Sequence, residues 1–192
     1  MSGIDFNLPE DKKVFWHTSS HILAQAVKRL YPAAKLAIGP AIDNGFYYDF
    51  DVPKPFSPED LEAIEAEMKK IVKENLKLKR FTLPREQAVE LMKEKDEPYK
   101  IELIGDLPEG EEISFYEQGE FTDLCAGPHL GYASSVKAFK LLNATGAYWK
   151  GSEKNKMLTR IYGVSFPNKQ SLEEHLSMLE EAKKRDHNKL GR

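Results

Sequence analysis

A chain of 192 residues, 41% hydrophobic and 31% charged, is long enough for one good domain with room for an appendage. Its formal charge of −3, from 28 basic and 31 acidic side chains, excludes a surface that is basic throughout and leaves only local basic patches for nucleic acid. The single cysteine excludes an internal disulfide and fits a reducing compartment. There is no run of about 18 apolar residues and no secretory h-region, so a cytoplasmic protein with no membrane partner is expected.

Residues 1 to 12 are polar. A first helix is predicted from about Asp11 to Tyr31, ending before Pro32. It contains His17 and His21, four apart and therefore on one face. Leu23, Ala26, Val27 and Leu30 form an aliphatic stripe nearly opposite, while Ser20 and Ala24 are small neighbours of the histidines. A buried back and a front of two imidazoles among small side chains predict one wall of a pocket.

Asn44-Gly45 between apolar runs signals a hairpin, after which Phe46, Tyr48 and Phe50 alternate with Tyr47, Asp49 and Asp51, so one strand face is aromatic. Gly39-Pro40 breaks the incoming strand and permits a close backbone approach. Ser57-Pro58 starts a second helix, with Leu61, Ile64, Met68, Ile71 and Val72 as its buried stripe. Leu76 to Phe81 reads as an edge strand, Pro84 opens a short helix, and 97–104 reads as a helix or extended turn carrying Lys100. Strands are predicted at 113–116, 121–124, 136–142 and 157–166, and an amphipathic helix from Gln170 to Leu190. The order predicts an α+β fold: an antiparallel sheet packed with helices on one side, plus a C-terminal linker helix.

The stretch Asp123-Leu-Cys-Ala-Gly-Pro-His129 places the one cysteine four residues before a third histidine. Gly127-Pro128 forbids a regular helix there, so Cys125 and His129 belong to a tight turn. Two pairs, one on a helix and one on a turn, can converge to four groups, as a tetrahedral zinc site or a catalytic cluster requires. Judged singly, Lys100 reads as a solvated lysine, Asp123 as a turn cap, Tyr48 as core and Cys125 as a small buried hydrophobe.

HTSSH at 17–21, AIGPAIDNGFYYDF at 37–50, DLCAGPH at 123–129, NATGAYWKGSEKNKMLTRIYG at 143–163 and the terminal KKRDHNKLG resemble the editing domain of the threonyl-tRNA synthetases, over nearly the whole chain. The HxxxH and CxxxH signatures are shared with alanyl-tRNA editing proteins, and the longer stretches select the threonyl branch. The resemblance implies a deacylase at 1–168 and, at 169–192, a helix leading to an absent catalytic core. The class II catalytic and anticodon-binding domains and the small N-terminal ubiquitin-like domain are not in this sequence, so the chain is not expected to activate threonine. The full-length enzyme would ligate threonine to tRNA(Thr) using ATP.

The implied substrate is the ester of seryl-tRNA(Thr), presented at the tRNA acceptor end. The family motif implies His17 as the group that positions or activates water. Lys100 would stabilise developing charge or steer the leaving hydroxyl, and Asp123 would hold the substrate ammonium or orient a partner. His21, Cys125 and His129 complete the pocket wall, with Tyr48 a substrate contact. The resemblance implies a site that works without a required metal. Zinc remains possible, with His17, His21, Cys125 and His129 the candidate ligands. Two other functions fit the sequence: a non-catalytic module that binds the tRNA acceptor end through lysines 69, 70, 73, 77 and 79, and a zinc-dependent deacylase of the alanyl-editing type.

Overall fold

The structure is a computed structural model that describes residues 5–190, the last four by their backbone. The leading residues 1–4 and the last two residues, where the terminal motif ends, lie outside the described residues. Helix α1 (Pro9–Leu30) is the central element. Proline opens it, Glu10 and Asp11 occupy its first turn, and Lys28 and Arg29 its last, all favourable to the helix dipole.

Between Phe15 and Val27 α1 is buried on almost every side. This corrects the expected division into an apolar back and an open imidazole front. Of the buried polar side chains of α1, Thr18, Ser19, Ser20 and Gln25 each find a hydrogen-bond partner. Ser19 Oγ donates to Phe15 O and meets Ser165 Oγ at 2.7 Å, Trp16 Nε1–H donates to Ser165 O, and Gln25 bonds Gln118. Leu30, placed in the buried stripe by spacing, is 37% exposed at the helix end.

The antiparallel strands form two sheets rather than one. The larger holds β1 (Lys35–Leu36), β3 (Gly45–Asp51), β8 (Met157–Phe166) and β7 (Ala138–Tyr148) in that order, with β2 (Ala41–Ile42) paired to β3. The smaller holds β4 (Leu78–Leu83), β5 (Ile113–Gln118) and β6 (Phe121–Leu124). The fold class is α+β.

The hairpin before β3 turns one residue earlier than Asn44-Gly45 suggests. Ile42 pairs with Gly45, and Asn44 takes the left-handed conformation, φ 67°. Phe46, Tyr48 and Phe50 all face the core and are fully buried. Strand β7 runs six residues beyond the expected end at Leu142, to Tyr148. Asn143–Tyr148, outside the expected strand, pairs with β8 as far as Tyr148↔Met157, beyond an irregularity at Leu141/Asn143. Most of that extension is exposed or half-buried, so hydrophobic alternation gives no sign of it.

Helix α2 (Pro58–Lys73) starts at a reciprocal cap: Ser57 Oγ accepts from Asp60 N–H, and the Asp60 carboxylate accepts from Ser57 N–H. Helices α3 (Arg85–Glu94) and α4 (Pro98–Asp106) follow β4 and pack together. In α5 (Lys169–Leu190), Leu172 and Leu176 pack on Ala138 and Val164. Those two alternate with Phe139, Leu141 and Ser165, which face α1 and α2, so α5 begins on the opposite face of the larger sheet.

Gly39 is the close approach foreseen from Gly39-Pro40. Its carbonyl lies 2.7 Å from Ser20 Oγ, and a Cβ built on it would overlap the Tyr48 ring. That ring is fully buried and tethered through its hydroxyl, so it has no room to yield. Gly39→Ala is expected to destabilise the fold by about 1–3 kcal/mol in urea unfolding. An unchanged midpoint would show that the loop moves away at no cost.

Candidate functional site

The site forms where α1 meets the irregular segment after β6. His17 and His21 project from α1, one turn apart, and Cys125 and His129 from the segment 125–131, where Gly127 has φ 78°. A Cβ at Gly127 would overlap the Tyr116 hydroxyl, so glycine is required there for both reasons. The sulfur of Cys125 lies 3.1 Å from His129 Nε2 and 3.4 Å from His17 Nε2, and it accepts the Gly127 N–H at 3.2 Å. The ring centres of His17 and His129 are 4.4 Å apart, and those of His21 and His129 4.3 Å. One donor atom from each of the four residues falls within 4.8 Å of all the others.

A second group stands behind His21. Asp123 Oδ1 pairs with Lys100 Nζ at 2.9 Å, and Asp123 Oδ2 accepts from the Tyr48 hydroxyl at 2.6 Å. His21 Nε2 is 3.6 Å from the same Oδ2. Lys100, Asp123 and Tyr48 are 3%, 2% and 0% exposed. Lys100 is therefore no surface lysine, and Asp123 caps no turn through its carboxylate.

His17 and His129 are both half-buried, but only His17 of the four faces a cleft. It lines a cleft of about 670 Å³ together with the first turns of α1, Pro40-Ala41 and Gly127-Pro128. Burial lowers the pKa of all three imidazoles. For His17 the nearby Asp123 charge works against this, and for His21 and His129 the neighbouring histidines add to it. Burial, with Asp123 nearby, pushes the Cys125 thiol up to about 12. Burial and the Asp123 carboxylate also raise Tyr48 far above its ordinary value. At neutral pH the cluster is thus three neutral imidazoles and a protonated thiol. Such a thiol is a poor nucleophile. A neutral imidazole facing a cleft can accept a hydrogen bond from water.

Residues 113–162 match the family described as the threonyl and alanyl tRNA synthetase second additional domain. Over 189 residues the chain is 69% identical to the threonine–tRNA ligase of Caldanaerobacter subterraneus subsp. tengcongensis, an alignment covering 98% of this chain and 29% of that protein. It is 70% identical over 181 residues to the threonine–tRNA ligase of Acetivibrio thermocellus, covering 94% of this chain and 28% of that protein. The ligase of Clostridium tetani is 67% identical over 189 residues, covering 98% and 30%. Over nearly its whole length the chain is thus similar to part of these ligases, and its residues 113–162 match that domain family. It spans under a third of the length of these curated relatives.

In this chain the seven residues singled out from sequence fall into two touching groups. His17, His21, Cys125 and His129 form the cluster, and Tyr48, Lys100 and Asp123 the buried unit behind it. Lysines 69, 70, 73, 77 and 79 are exposed, and none lines the cleft beside His17.

Three side chains that sequence reading passed over hold the cluster in place. Thr18 Oγ1 contacts His129 Nδ1, the Tyr116 ring meets His129 edge to face at 4.4 Å, and the Gln118 amide donates to His21 O. Thr18 carried a signal, since it adjoins His17 in a motif of small hydroxyl residues. Gln118 and Tyr116 carried none, because they reach the site only through the pairing of β5 with β6.

The donor set fits a zinc-type cation. Tetrahedral zinc with bonds of about 2.0–2.3 Å holds its ligand atoms about 3.3–3.8 Å apart, close to the spacings around Cys125 Sγ. His21 Nδ1 is buried with no hydrogen-bond partner among the described residues, which leaves it free for a further ligand.

Proposed function

We propose that this domain hydrolyses the ester of seryl-tRNA(Thr). The observation that carries the reading is the placement of one neutral, half-buried imidazole, His17, at the floor of a cleft, with a rigid hydrogen-bonded cluster behind it. Serine lacks one methyl of threonine, and a missing methyl gives a binding pocket only about 1–3 kcal/mol of discrimination. A second, hydrolytic site therefore improves accuracy where a synthetic site alone is insufficient.

In this reading His17 positions the attacking water and accepts its proton. Lys100, paired with Asp123 behind His21, adds positive charge to the field that the developing charge would meet. Both carboxylate oxygens of Asp123 are engaged, so of its two expected roles it takes the second and orients Lys100, Tyr48 and His21. His21, Cys125 and His129 form the wall against which the extra methyl of threonine is rejected, and Tyr48 braces it. Where zinc binds, His17, His21, Cys125 and His129 would hold it, supplying an activated water if one position stays open and only structural support if all four close.

Residues 1–168 make up the deacylase in this reading, and 169–192 form the helix leading onward. Ligation of threonine with ATP would belong to a longer protein that includes this domain. The reading places the domain in the cytoplasm, where tRNA is charged. Among the described residues no helix is long and apolar enough to cross a membrane.

The test incubates the chain with seryl-tRNA and threonyl-tRNA, both on the threonine-specific tRNA, with and without a chelator. The expected result is loss of the seryl ester only, unaffected by chelation. Binding of tRNA with no hydrolysis of either ester would replace the deacylase with a binding module. Hydrolysis abolished by the chelator would make zinc part of the reaction.

A further inference from the structure

Thr18 stands between the two histidines on α1 and has no exposed surface. Its Oγ1 accepts the N–H of Leu130 at 3.0 Å and lies 3.0 Å from His129 Nδ1. One side chain thus touches two consecutive residues of the segment that carries the cluster. A threonine hydroxyl has one proton and two lone pairs. The Leu130 amide can only donate, so it occupies a lone pair and leaves the hydroxyl proton without a partner on that side. Among the described residues, His129 Nδ1 is the acceptor within reach of that proton.

The alternative is a proton on Nδ1. Two N–H groups would then converge on Oγ1, and the hydroxyl proton would be buried without an acceptor. Leaving a buried donor unsatisfied is costly enough to decide between two tautomers that otherwise differ little. We propose that Thr18 is a positioning residue whose hydroxyl donates to His129 Nδ1 and so keeps the ring proton on Nε2.

The far side of the ring agrees with this polarity. His129 Nε2 lies 3.1 Å from Cys125 Sγ, and a protonated Nε2 donates to that sulfur beside the Gly127 N–H. The edge of Tyr116 against the ring restricts its tilt. His129 therefore presents a donor, not a lone pair, to the cluster. To ligate a cation through Nε2, the ring would have to move its proton to Nδ1 and Thr18 would have to turn from donor to acceptor. Thr18 thus opposes His129 as a metal ligand while locking it as part of the pocket wall.

This inference rests on the proposed ester hydrolysis only for its activity readout. The direct test is ¹⁵N NMR of the metal-free chain labelled at histidine, with the His129 signals assigned by comparison with His129→Gln. The expected spectrum has an unprotonated-type Nδ1 and a protonated-type Nε2. A protonated-type Nδ1 overturns the proposal, whatever the activity. Thr18→Val should abolish the bias between the two nitrogens, and Thr18→Ser should keep it. If Thr18→Val does not fold, the wild-type and Thr18→Ser spectra still decide. On seryl-tRNA, Thr18→Val should lower kcat about tenfold with KM little changed, the size of effect seen when a ring-orienting partner is lost, and Thr18→Ser should restore it. Equal loss in both variants would overturn the positioning role. An inactive wild-type chain would overturn the hydrolytic reading and leave the tautomer measurement standing.

Discussion

Asp123→Ala should lose about 3–5 kcal/mol of stability in denaturant unfolding. The carboxylate is the shared acceptor of the Lys100 ammonium at 2.9 Å and the Tyr48 hydroxyl at 2.6 Å, and all three groups are within a few per cent of complete burial. Removing it leaves a buried positive charge with no counter-charge, the change that makes broken buried pairs so costly. The double variant Lys100→Met, Asp123→Leu should be more stable than Asp123→Ala, because an apolar pair of similar volume removes the stranded charge. A cycle with Lys100→Met then gives the coupling between the two residues. If Asp123→Ala unfolded within about 1 kcal/mol of the wild type, Lys100 would have found another partner or water, and the buried unit behind His21 would be less rigid than its distances imply.

His17→Ala should reduce seryl-tRNA hydrolysis about 10²–10⁴-fold, the usual contribution of a positioned acid–base group. Its effect on stability should be small, because His17 is the cluster member that opens on the cleft and its contacts are the edges of other rings and one sulfur. The pairing of the two measurements matters. Asp123→Ala should fail in both stability and activity, whereas His17→Ala should fail in activity alone. Full activity in a folded His17→Ala chain would remove His17 from the reaction.

The elements that sequence resolves are those whose cause is local. Ser57-Pro58 caps a helix through atoms three residues apart, and the alternation of Phe46, Tyr48 and Phe50 needs only the two-residue period of a strand. The convergence of the HxxxH and CxxxH pairs was legible because each pair has its own spacing, even though 108 residues separate His17 from Cys125. Three features were not legible because their causes are distant. The polar side of α1 is buried since Ser165 and Gln118 come to meet it. The extension of β7 is held by β8, not by its own hydrophobicity. Lys100 reads as an ordinary lysine until Asp123 is placed against it.

The contacts of α1 also set an order in time. Trp16 Nε1–H bonds the carbonyl of Ser165, 149 residues further along the chain. At synthesis rates of about 5–20 residues per second, roughly 7–30 s pass between the appearance of these two partners. Over that interval the first helix lacks its strand, and for most of it also the turn that carries Cys125 and His129. Contacts of such long sequence separation form slowly even in a finished chain. A growing polypeptide therefore carries both histidines long before it carries a pocket, and the site is complete only when the last strand closes over the first helix.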